Sequence, residues 1–249
     1  MSPTGSNPTP LGGVDVIVLA GGLGTRLRSV VSDRPKILAP VDGTPFLDLL
    51  LAKLAALGAA RAILSLGYRA EMVDDHIRTR PVPLPVVTVV EPEPLGTAGG
   101  LRLAAPLAAT DPVIVMNGDT WVEADYGAFL ASHHRMAAPC SILCARVEDA
   151  SAFGRIEIGA DGLVTRFVEK DAALKGPATV SAGIHVISRL GMADLLKSTG
   201  PSLERDFFAH YAPGRVHGFV DPSAYFIDIG TPAGLALAAT HLGRRPGPR

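Results

Sequence analysis

Residues 21–26 of this chain read GGLGTR and follow directly after its first hydrophobic run. Glycines let backbone N–H groups approach an anion closely, and the planar guanidinium of Arg26 suits a phosphate group. Two well-known phosphate-binding patterns do not fit, because the Rossmann fingerprint needs glycine at Leu27 and the Walker motif needs a Gly-Lys-Ser/Thr ending. The segment therefore predicts either an anion-binding loop of another kind or a tight turn that carries a surface arginine.

A second cation follows in the segment Arg34-Pro35-Lys36, where proline restricts the backbone and presents the Lys36 ammonium from a stiff loop. Two aspartates are further candidates: Asp119 follows the segment VIVMNG, and Asp228 lies within AYFIDIG. An unpaired carboxylate in such apolar surroundings is costly. Each aspartate is therefore interpreted either as a cation ligand or as a helix-capping or salt-bridged residue.

The bulk composition excludes several classes of protein. The chain has 249 residues, is 47% hydrophobic and 5% aromatic, and carries a formal net charge of −1. We expect no binding to nucleic acid or to a membrane, since there is no basic excess and charged residues, Gly or Pro interrupt every long apolar stretch. The leader lacks the basic and apolar regions of a signal peptide, so we expect a cytoplasmic protein. Cys140 and Cys144 are expected in the core.

Short apolar runs alternate with helical patterns in the first half of the chain, and strand-like segments dominate the second half. The runs typical of buried parallel strands are residues 14–20, 62–66, 86–90 and 113–116. Residues 45–58 have helical spacing and a terminal glycine. We therefore expect an α/β fold, with a Rossmann-like, mixed and mostly parallel central sheet flanked by helices. A single domain is expected over residues 14–243, between disordered tails at 1–13 and 244–249.

Six segments, in their order along the chain, resemble the signature of the sugar-1-phosphate nucleotidyltransferases, also called sugar-nucleotide pyrophosphorylases. The most specific is LAGGLGTRL followed by RPK and AP, in which the spacing of glycine, arginine and lysine agrees with that family. The resemblance extends over about residues 14–240. The other segments are EPEPLGTAGGL (91–101), NGDT (117–120), FVEK (167–170), SAGIHVI (181–187) and FIDIGTP (226–232).

The resemblance implies a nucleotide-diphospho-sugar transferase fold and an enzyme that joins a sugar 1-phosphate to an NTP and releases pyrophosphate. It implies catalytic roles for Arg26, Lys36 and Asp119, in which the two cations neutralise the α-phosphate and the leaving pyrophosphate. It also implies that Asp119 and Asp228 bind a shared Mg²⁺. A non-catalytic regulatory protein that binds sugar nucleotides on the same fold is the alternative outside the enzymes.

The same resemblance implies two further groups of site residues. The nucleotide-binding group comprises Leu19, Ala20, Gly21, Gly22, Gly24, Thr25, Glu91, Gly96 and Thr97. The group that contacts the sugar and its phosphate comprises Gly154, Glu169, Lys170, Ser181 and Gly183. Ser181 stands where many relatives carry asparagine, so its sugar contact would be lost or mediated by water. The alternatives are an exposed charged pair for Glu169 and Lys170, and β-bulges for the two glycines.

Glu91 stands directly after the strand-like run VVTVV, where the family places its base-reading side chain. An ionised carboxylate only accepts hydrogen bonds, and guanine offers N1–H and a 2-amino group side by side. Uracil and thymine offer a single N3–H, and N1 of adenine would face the carboxylate with a lone pair. The sequence therefore predicts GTP as the nucleotide, on the assumption that Glu91 rather than Glu93 faces the base.

For the sugar, residues 28–48 together with LGYRAE and EPEPLGTAGG most resemble the D-glycero-D-manno-heptose 1-phosphate guanylyltransferase branch. D-glycero-alpha-D-manno-heptose 1-phosphate is therefore the expected sugar substrate. Mannose-1-phosphate guanylyltransferase and the hexose or muramate 1-phosphate uridylyltransferases stay as alternatives, because no residue can be assigned to the seventh carbon. The oligomeric state is left open, with a homo-oligomer as one possibility.

Overall fold

The computed structural model describes residues 9–27, 29–151, 153–168, 175–211 and 214–243. The strands are β1 (Asp15–Ala20), β2 (Pro40–Val41), β3 (Thr44–Pro45), β4 (Arg61–Leu66), β5 (Val86–Val90), β6 (Val113–Asn117), β7 (Thr120–Glu123), β8 (Cys140–Val147), β9 (Arg155–Ile158), β10 (Val164–Val168), β11 (Ala178–Ile187), β12 (Val216–Val220) and β13 (Tyr225–Asp228). The helices are α1 (Phe46–Leu57), α2 (Ala70–Thr79), α3 (Gly96–Ala104), α4 (Tyr126–Met136), α5 (Arg189–Lys197), a π-helix (Leu203–Phe208) that continues into α6 (Ala209–Tyr211), and α7 (Pro232–Leu242).

Nine of the described strands form one mixed sheet. Its first half is parallel, with β1 between β6 and β4 and with β5 paired to β4 at the edge. Its second half is antiparallel around β11, which pairs with β6, β8 and β9, and β12 pairs in parallel with β8 at the edge. The expected α/β class, with a mixed central sheet and flanking helices, is therefore confirmed, and the change of strand direction falls between β6 and β11.

Strands β1, β4 and β6 are largely buried on both faces, which explains why their sequences are nearly continuous apolar runs, whereas β5 at the edge of the sheet is only partly buried. Val16 and Val18 of β1 belong to a core formed with α1, α2 and α7, whereas Ile17 belongs to a second core formed with α3 and the π-helix. Helix α1 ends at Gly58, whose φ of 82° gives a left-handed cap. This helix and the four parallel strands lie within one or two residues of the predicted positions.

The loops that follow the parallel strands meet at one edge of the sheet. The N–H group of Gly118, after β6, donates to the carbonyl of Leu19 in β1 at 2.8 Å. The N–H group of Glu91, after β5, donates to the carbonyl of Leu66 in β4 at 2.7 Å. Backbone hydrogen bonds thus hold the ends of four neighbouring strands against one another, and this edge is where ligands bind in open α/β sheets.

A separate two-stranded ribbon, β7 with β13, lies beside this edge. Its antiparallel register pairs Asp228 with Thr120, and the N–H group of Ile229 donates to the carbonyl of Asp119 at 2.9 Å. Strand-like segments were expected in the second half of the chain, but neither β7 nor its pairing with β13 was predicted. The ribbon brings together two acidic residues that are far apart in the chain.

The described chain begins before β1 and packs against the end of α1. Leu11 is fully buried, and its N–H group donates to the carbonyl of Leu57 at 2.9 Å. Residues 9–13, which were expected to be part of a disordered tail, therefore contact the domain, whereas 1–8 and 244–249 lie outside the described residues. In the described part of the chain, none of the helices has the length and apolarity that crossing a membrane requires.

Two buried histidines lie on α4 and β11. Both ring nitrogens of His185 in β11 lack a hydrogen-bond partner within the described residues, and its ring lies 4.9 Å from that of Phe208. Burial lowers the pKa of His185 to about 3. Burial, together with the neighbouring His134 and His217, lowers the pKa of His133 to about 4. Both rings are therefore neutral in the folded protein over the ordinary pH range.

These histidines predict a loss of stability in mild acid. The unfolded chain takes up a proton on each histidine as the pH falls through about 6.5, whereas the folded protein does not until about pH 4 or below. Between pH 7.5 and pH 5, each histidine should therefore reduce the free energy of unfolding by about 2 kcal/mol. In urea titrations, His185→Leu should lower that pH dependence, whereas His210→Leu, at an exposed position, should match the wild type. If the free energy of unfolding changed equally with pH in all three proteins, the assignment of this pH dependence to His185 would be wrong.

Candidate active site

A cavity of about 260 Å³ opens at the edge where β1, β5 and β6 end, and we call it the strand-edge cavity. Its volume is close to the lower limit for small-molecule sites. Its walls come from the loop after β1, the start of α3 and the turn between β6 and β7. Of the residues expected from the sequence, those that line it are Leu19, Ala20, Gly21, Gly22, Lys36, Glu91, Gly96, Thr97 and Asp119.

The glycine loop, residues 21–24, presents free backbone donors. Within the described part of the chain, the N–H groups of residues 21–26 donate no hydrogen bond, whereas Leu27 N–H donates to the carbonyl of Gly24 at 3.0 Å. Gly24 has a φ of 60°, a left-handed conformation that favours glycine, and Gly22 faces open space. Unpaired N–H groups around a left-handed residue form a concavity that attracts anions. The loop can therefore hold a phosphate chain.

Gly21 is surrounded differently from Gly22. A Cβ atom on Gly21 would overlap Oε1 of Glu91, so the carboxylate of Glu91 fills the space that a side chain would need. Ser65 Oγ lies 3.2 Å from Glu91 Oε1, and the N–H group of Leu95 donates to Oε2 at 3.0 Å. Glu91 therefore lines the cavity and at the same time joins the glycine loop, β4 and the start of α3.

Two ion pairs connect the loops of the site. Lys36 Nζ lies 2.5 Å from Asp119 Oδ2, and these side chains are 15% and 31% exposed. Arg26 Nη2 lies 3.5 Å from Asp228 Oδ2, with both side chains more exposed. An exposed ion pair adds little to stability, because water competes for both partners. The Arg26 guanidinium can therefore exchange Asp228 for another anion at small cost.

Three of the four charged groups of these pairs lie close to the backbone of Gly230. A Cβ atom on Gly230 would lie 2.6 Å from Asp228 Oδ1, 2.8 Å from Lys36 Nζ and 3.3 Å from Arg26 Nη2. Lys36 in turn contacts Asp119. Asp228 therefore lies near both cations, and Asp119 lies beside one of them, Lys36.

Thr97 has a second role in the fold. Its Oγ1 accepts a hydrogen bond from the N–H group of Leu203 at 2.8 Å, and the N–H group of Ala98 donates to the carbonyl of Pro201 at 2.9 Å. The π-helix segment is thereby attached to the first turn of α3. This attachment fixes the wall of the cavity that Gly96 and Thr97 form.

Comparison with known proteins identifies the family. A model described as nucleotidyl transferase matches residues 15–244, which include the glycine loop and all four charged groups of the two ion pairs. The chain belongs to the nucleotidyl transferase family.

Relatives in this family match this chain over most of its length. A D-glycero-alpha-D-manno-heptose 1-phosphate guanylyltransferase of Aneurinibacillus thermoaerophilus is 32% identical over 88% of this chain and 94% of the relative. A mannose-1-phosphate guanylyltransferase of Mycobacterium tuberculosis is 34% identical over 93% of this chain, which spans 65% of that relative. The crystal structure of HddC from Yersinia pseudotuberculosis, 35% identical, superposes with a TM-score of 0.80 and covers 92% of this chain and 99% of that one.

Three of the residues expected to contact the sugar, Gly154, Ser181 and Gly183, lie on the antiparallel side of this nucleotidyl transferase. Gly183 has a φ of 78° and lies where the pairing of β11 with β8 shifts register, so the bulge that the sequence left open is present. A Cβ atom there would lie 2.7 Å from Asn117 Nδ2. Ser181 Oγ accepts from the N–H group of Gly183 at 3.1 Å. Gly154 precedes β9 and needs no special conformation, and Glu169 and Lys170 lie outside the described residues.

Sequence reasoning missed several residues that form walls of the strand-edge cavity. They are Leu23, Ile37, Pro94, Asn117 and Gly118. Leu23, Pro94, Asn117 and Gly118 lie inside motif segments that were quoted but were given no role, and Ile37 directly follows Lys36, so assigning whole motifs to the site would have found most of them. Thr25, Gly24 and Arg26 are not among the cavity-lining residues but belong to the loop that continues from it.

The two neighbouring glycines predict opposite effects of the same substitution. Gly21→Ala forces the Glu91 carboxylate away from Ser65 and Leu95, so we expect a loss of about 1–3 kcal/mol in the free energy of unfolding. Gly22→Ala meets open space, so its stability should be unchanged or rise by up to about 1 kcal/mol. Urea unfolding of the ligand-free proteins measures both. Equal effects of the two substitutions would show that Glu91 does not depend on the space at Gly21.

Proposed function

We propose that this nucleotidyl transferase joins D-glycero-alpha-D-manno-heptose 1-phosphate to GTP and releases GDP-heptose and pyrophosphate. The observation that carries the proposal is the arrangement of free N–H donors and charged groups beside one cavity: Lys36 and Asp119 line it, and the Arg26–Asp228 ion pair lies next to Lys36 at Gly230. The choice of GTP and heptose is supported by the names of relatives that this chain matches over nearly their whole length. It is also supported by the likeness to HddC, which has been crystallised in complex with GMP-PN.

The reaction brings two anions together, so most of the catalysis should come from positioning and charge neutralisation. An oxygen of the sugar phosphate attacks the α-phosphorus, the bond to the β-phosphate breaks, and pyrophosphate leaves with the bonding electrons. In this proposal, the N–H groups of residues 21–26 hold the triphosphate. Arg26 and Lys36 exchange their carboxylate partners for phosphate oxygens and stabilise the charge on the leaving pyrophosphate.

The proposal includes a Mg²⁺ ion bound by Asp119 and Asp228. Among the described residues, no set of three or more His, Cys, Asp or Glu side chains forms a cation site. Mg²⁺ is commonly bound by one or two carboxylates together with substrate phosphates, so the two aspartates fit this ion as a donor set. When bound, the ion would neutralise phosphate charge and hold the attacking and reacting groups together.

The choice of guanine rests on Glu91. Its carboxylate lines the strand-edge cavity and keeps acceptor capacity beyond the two hydrogen bonds from Ser65 and Leu95, since an ionised carboxylate has about four lone-pair sites. Guanine supplies two adjacent donors to such a group, and the other common bases supply one or none in that arrangement. The mannose enzymes among the relatives are also named as guanylyltransferases, so the base is supported more strongly than the sugar.

A substrate matrix tests the proposal. Pyrophosphate release should be at least about tenfold faster in kcat/KM with GTP than with UTP, dTTP, CTP or ATP, which corresponds to about 1.4 kcal/mol. With GTP, heptose 1-phosphate should exceed mannose 1-phosphate in the same measure. A preference for UTP or dTTP would refute the base assignment, and parity of the two sugars would refute the heptose assignment. Absence of turnover with every pair would favour a non-catalytic sugar-nucleotide-binding protein.

The roles of the acidic residues predict a second result. Asp119→Asn keeps the size of the side chain but removes the charge, so kcat should fall by about 10³-fold, as for loss of one strong electrostatic contact. EDTA should abolish wild-type turnover, and added Mg²⁺ should restore it. Asp75→Asn, at an exposed position on α2, is the matched control and should keep wild-type kcat. A nearly normal kcat in Asp119→Asn would exclude the metal role of this residue.

A further inference from the structure

Ser65 is a buried polar residue at the end of β4 that the sequence motifs do not include. Its side chain is 0% exposed. Its Oγ lies 3.2 Å from Glu91 Oε1 and 3.2 Å from the carbonyl oxygen of Gly100 in α3. A serine hydroxyl carries one hydrogen, so it cannot donate a full hydrogen bond to both acceptors. The charged acceptor forms the stronger bond, since hydrogen bonds to ionised groups are about twice as strong as neutral ones.

Ser65 and the backbone of Leu95 hold the Glu91 carboxylate at both of its oxygens. Ser65 Oγ–H reaches Oε1, and Leu95 N–H reaches Oε2. The space around Oε1 is closed further by glycines, because a Cβ atom on Gly100 would lie 2.6 Å from it and one on Gly21 would overlap it. The plane of the carboxylate is therefore fixed from the side of the sheet, while Glu91 also lines the strand-edge cavity.

We propose that Ser65 is a positioning residue that sets the selectivity for guanine by fixing the orientation of the Glu91 carboxylate. This inference rests on the proposed function, in which Glu91 accepts hydrogen bonds from N1–H and the 2-amino group. Two parallel hydrogen bonds require an acceptor plane of fixed orientation. A carboxylate that is free to rotate can bind a base with one donor nearly as well as a base with two donors. Loss of the Ser65 hydroxyl should therefore reduce mainly the contribution that the 2-amino group of guanine makes to selectivity.

A purely structural role for Ser65 has a different consequence. Through the Gly100 carbonyl, the hydroxyl also connects β4 to α3. If that connection were its whole function, removing the hydroxyl would lower the stability of the protein and would weaken the binding of every nucleotide by the same factor. Hypoxanthine separates the two roles, because it keeps the N1–H and the 6-oxo group of guanine but lacks the 2-amino group.

The experiment compares GTP with ITP as substrates for the wild type, Ser65→Ala and Ser65→Thr. For the wild type, kcat/KM should be about tenfold higher with GTP than with ITP, the value of about 1.4 kcal/mol for one hydrogen bond. In Ser65→Ala this ratio should fall about fivefold, mostly through KM for GTP, while ITP changes little. Ser65→Thr keeps the hydroxyl and should restore most of the ratio. Ser141→Ala removes another fully buried hydroxyl, on β8, and should keep the wild-type ratio.

The outcomes separate the two proposals. Equal losses for GTP and ITP in Ser65→Ala, or an unchanged ratio, would overturn the role of Ser65 and leave the proposed function intact. A wild-type protein that does not prefer GTP to UTP would refute the proposed base instead. Should Ser65→Thr not fold in its buried position, dissociation constants of GTP and ITP for Ser65→Ala, measured by calorimetry without a sugar phosphate, give the same ratio without turnover.

Discussion

The pairing of β13 with β7 is the constraint on which the charged site depends. Asp228 lies opposite Thr120 in the ribbon, and the N–H group of Ile229 donates to the carbonyl of Asp119 in the turn between β6 and β7. Two carboxylates in one region repel each other, and that repulsion would destabilise the pairing if it were not compensated. Lys36 and Arg26 supply the compensation, one to each carboxylate. The glycine loop and the segment of Lys36 must therefore fold against the ribbon for the site to be neutral, which couples three distant parts of the chain.

The parallel half of the fold could be read from the sequence because its determinants are local. Strands buried on both faces are continuous apolar runs, and α1 ends at Gly58 with the left-handed cap that its sequence predicts. The ribbon could not be read in this way. Strand β7 has four residues, TWVE, and its partner lies about a hundred residues later. Neither periodicity nor turn residues specify such a long-range pairing, so only the family resemblance indicated that Asp119 and Asp228 share a site.

The glycines of the glycine loop serve two different purposes that residue types alone do not distinguish. Its glycines were all interpreted as room for phosphates, and the free N–H groups and the open space at Gly22 agree with that. Gly21, however, makes room for the carboxylate of Glu91, a contact that joins β1 to the segment after β5. Both requirements exclude a side chain, but for different partners. A glycine in a sequence indicates that a side chain is excluded or that an unusual backbone conformation is needed. Which group fills the space depends on the tertiary structure.

The two ion pairs also limit the positive charge that the site offers to an anion. In the ligand-free protein, two cations are matched by two carboxylates, so the site offers a polyanion little net positive charge. A triphosphate that takes Lys36 and Arg26 from Asp119 and Asp228 leaves two carboxylates unmatched beside its own negative charge. Under the proposed function, a divalent cation held by these carboxylates would remove this penalty, because the phosphates would then pair with Lys36 and Arg26. If the proposed metal site is correct, this arrangement of charges would favour joint binding of nucleotide and metal over binding of either alone, whichever base and sugar the enzyme selects.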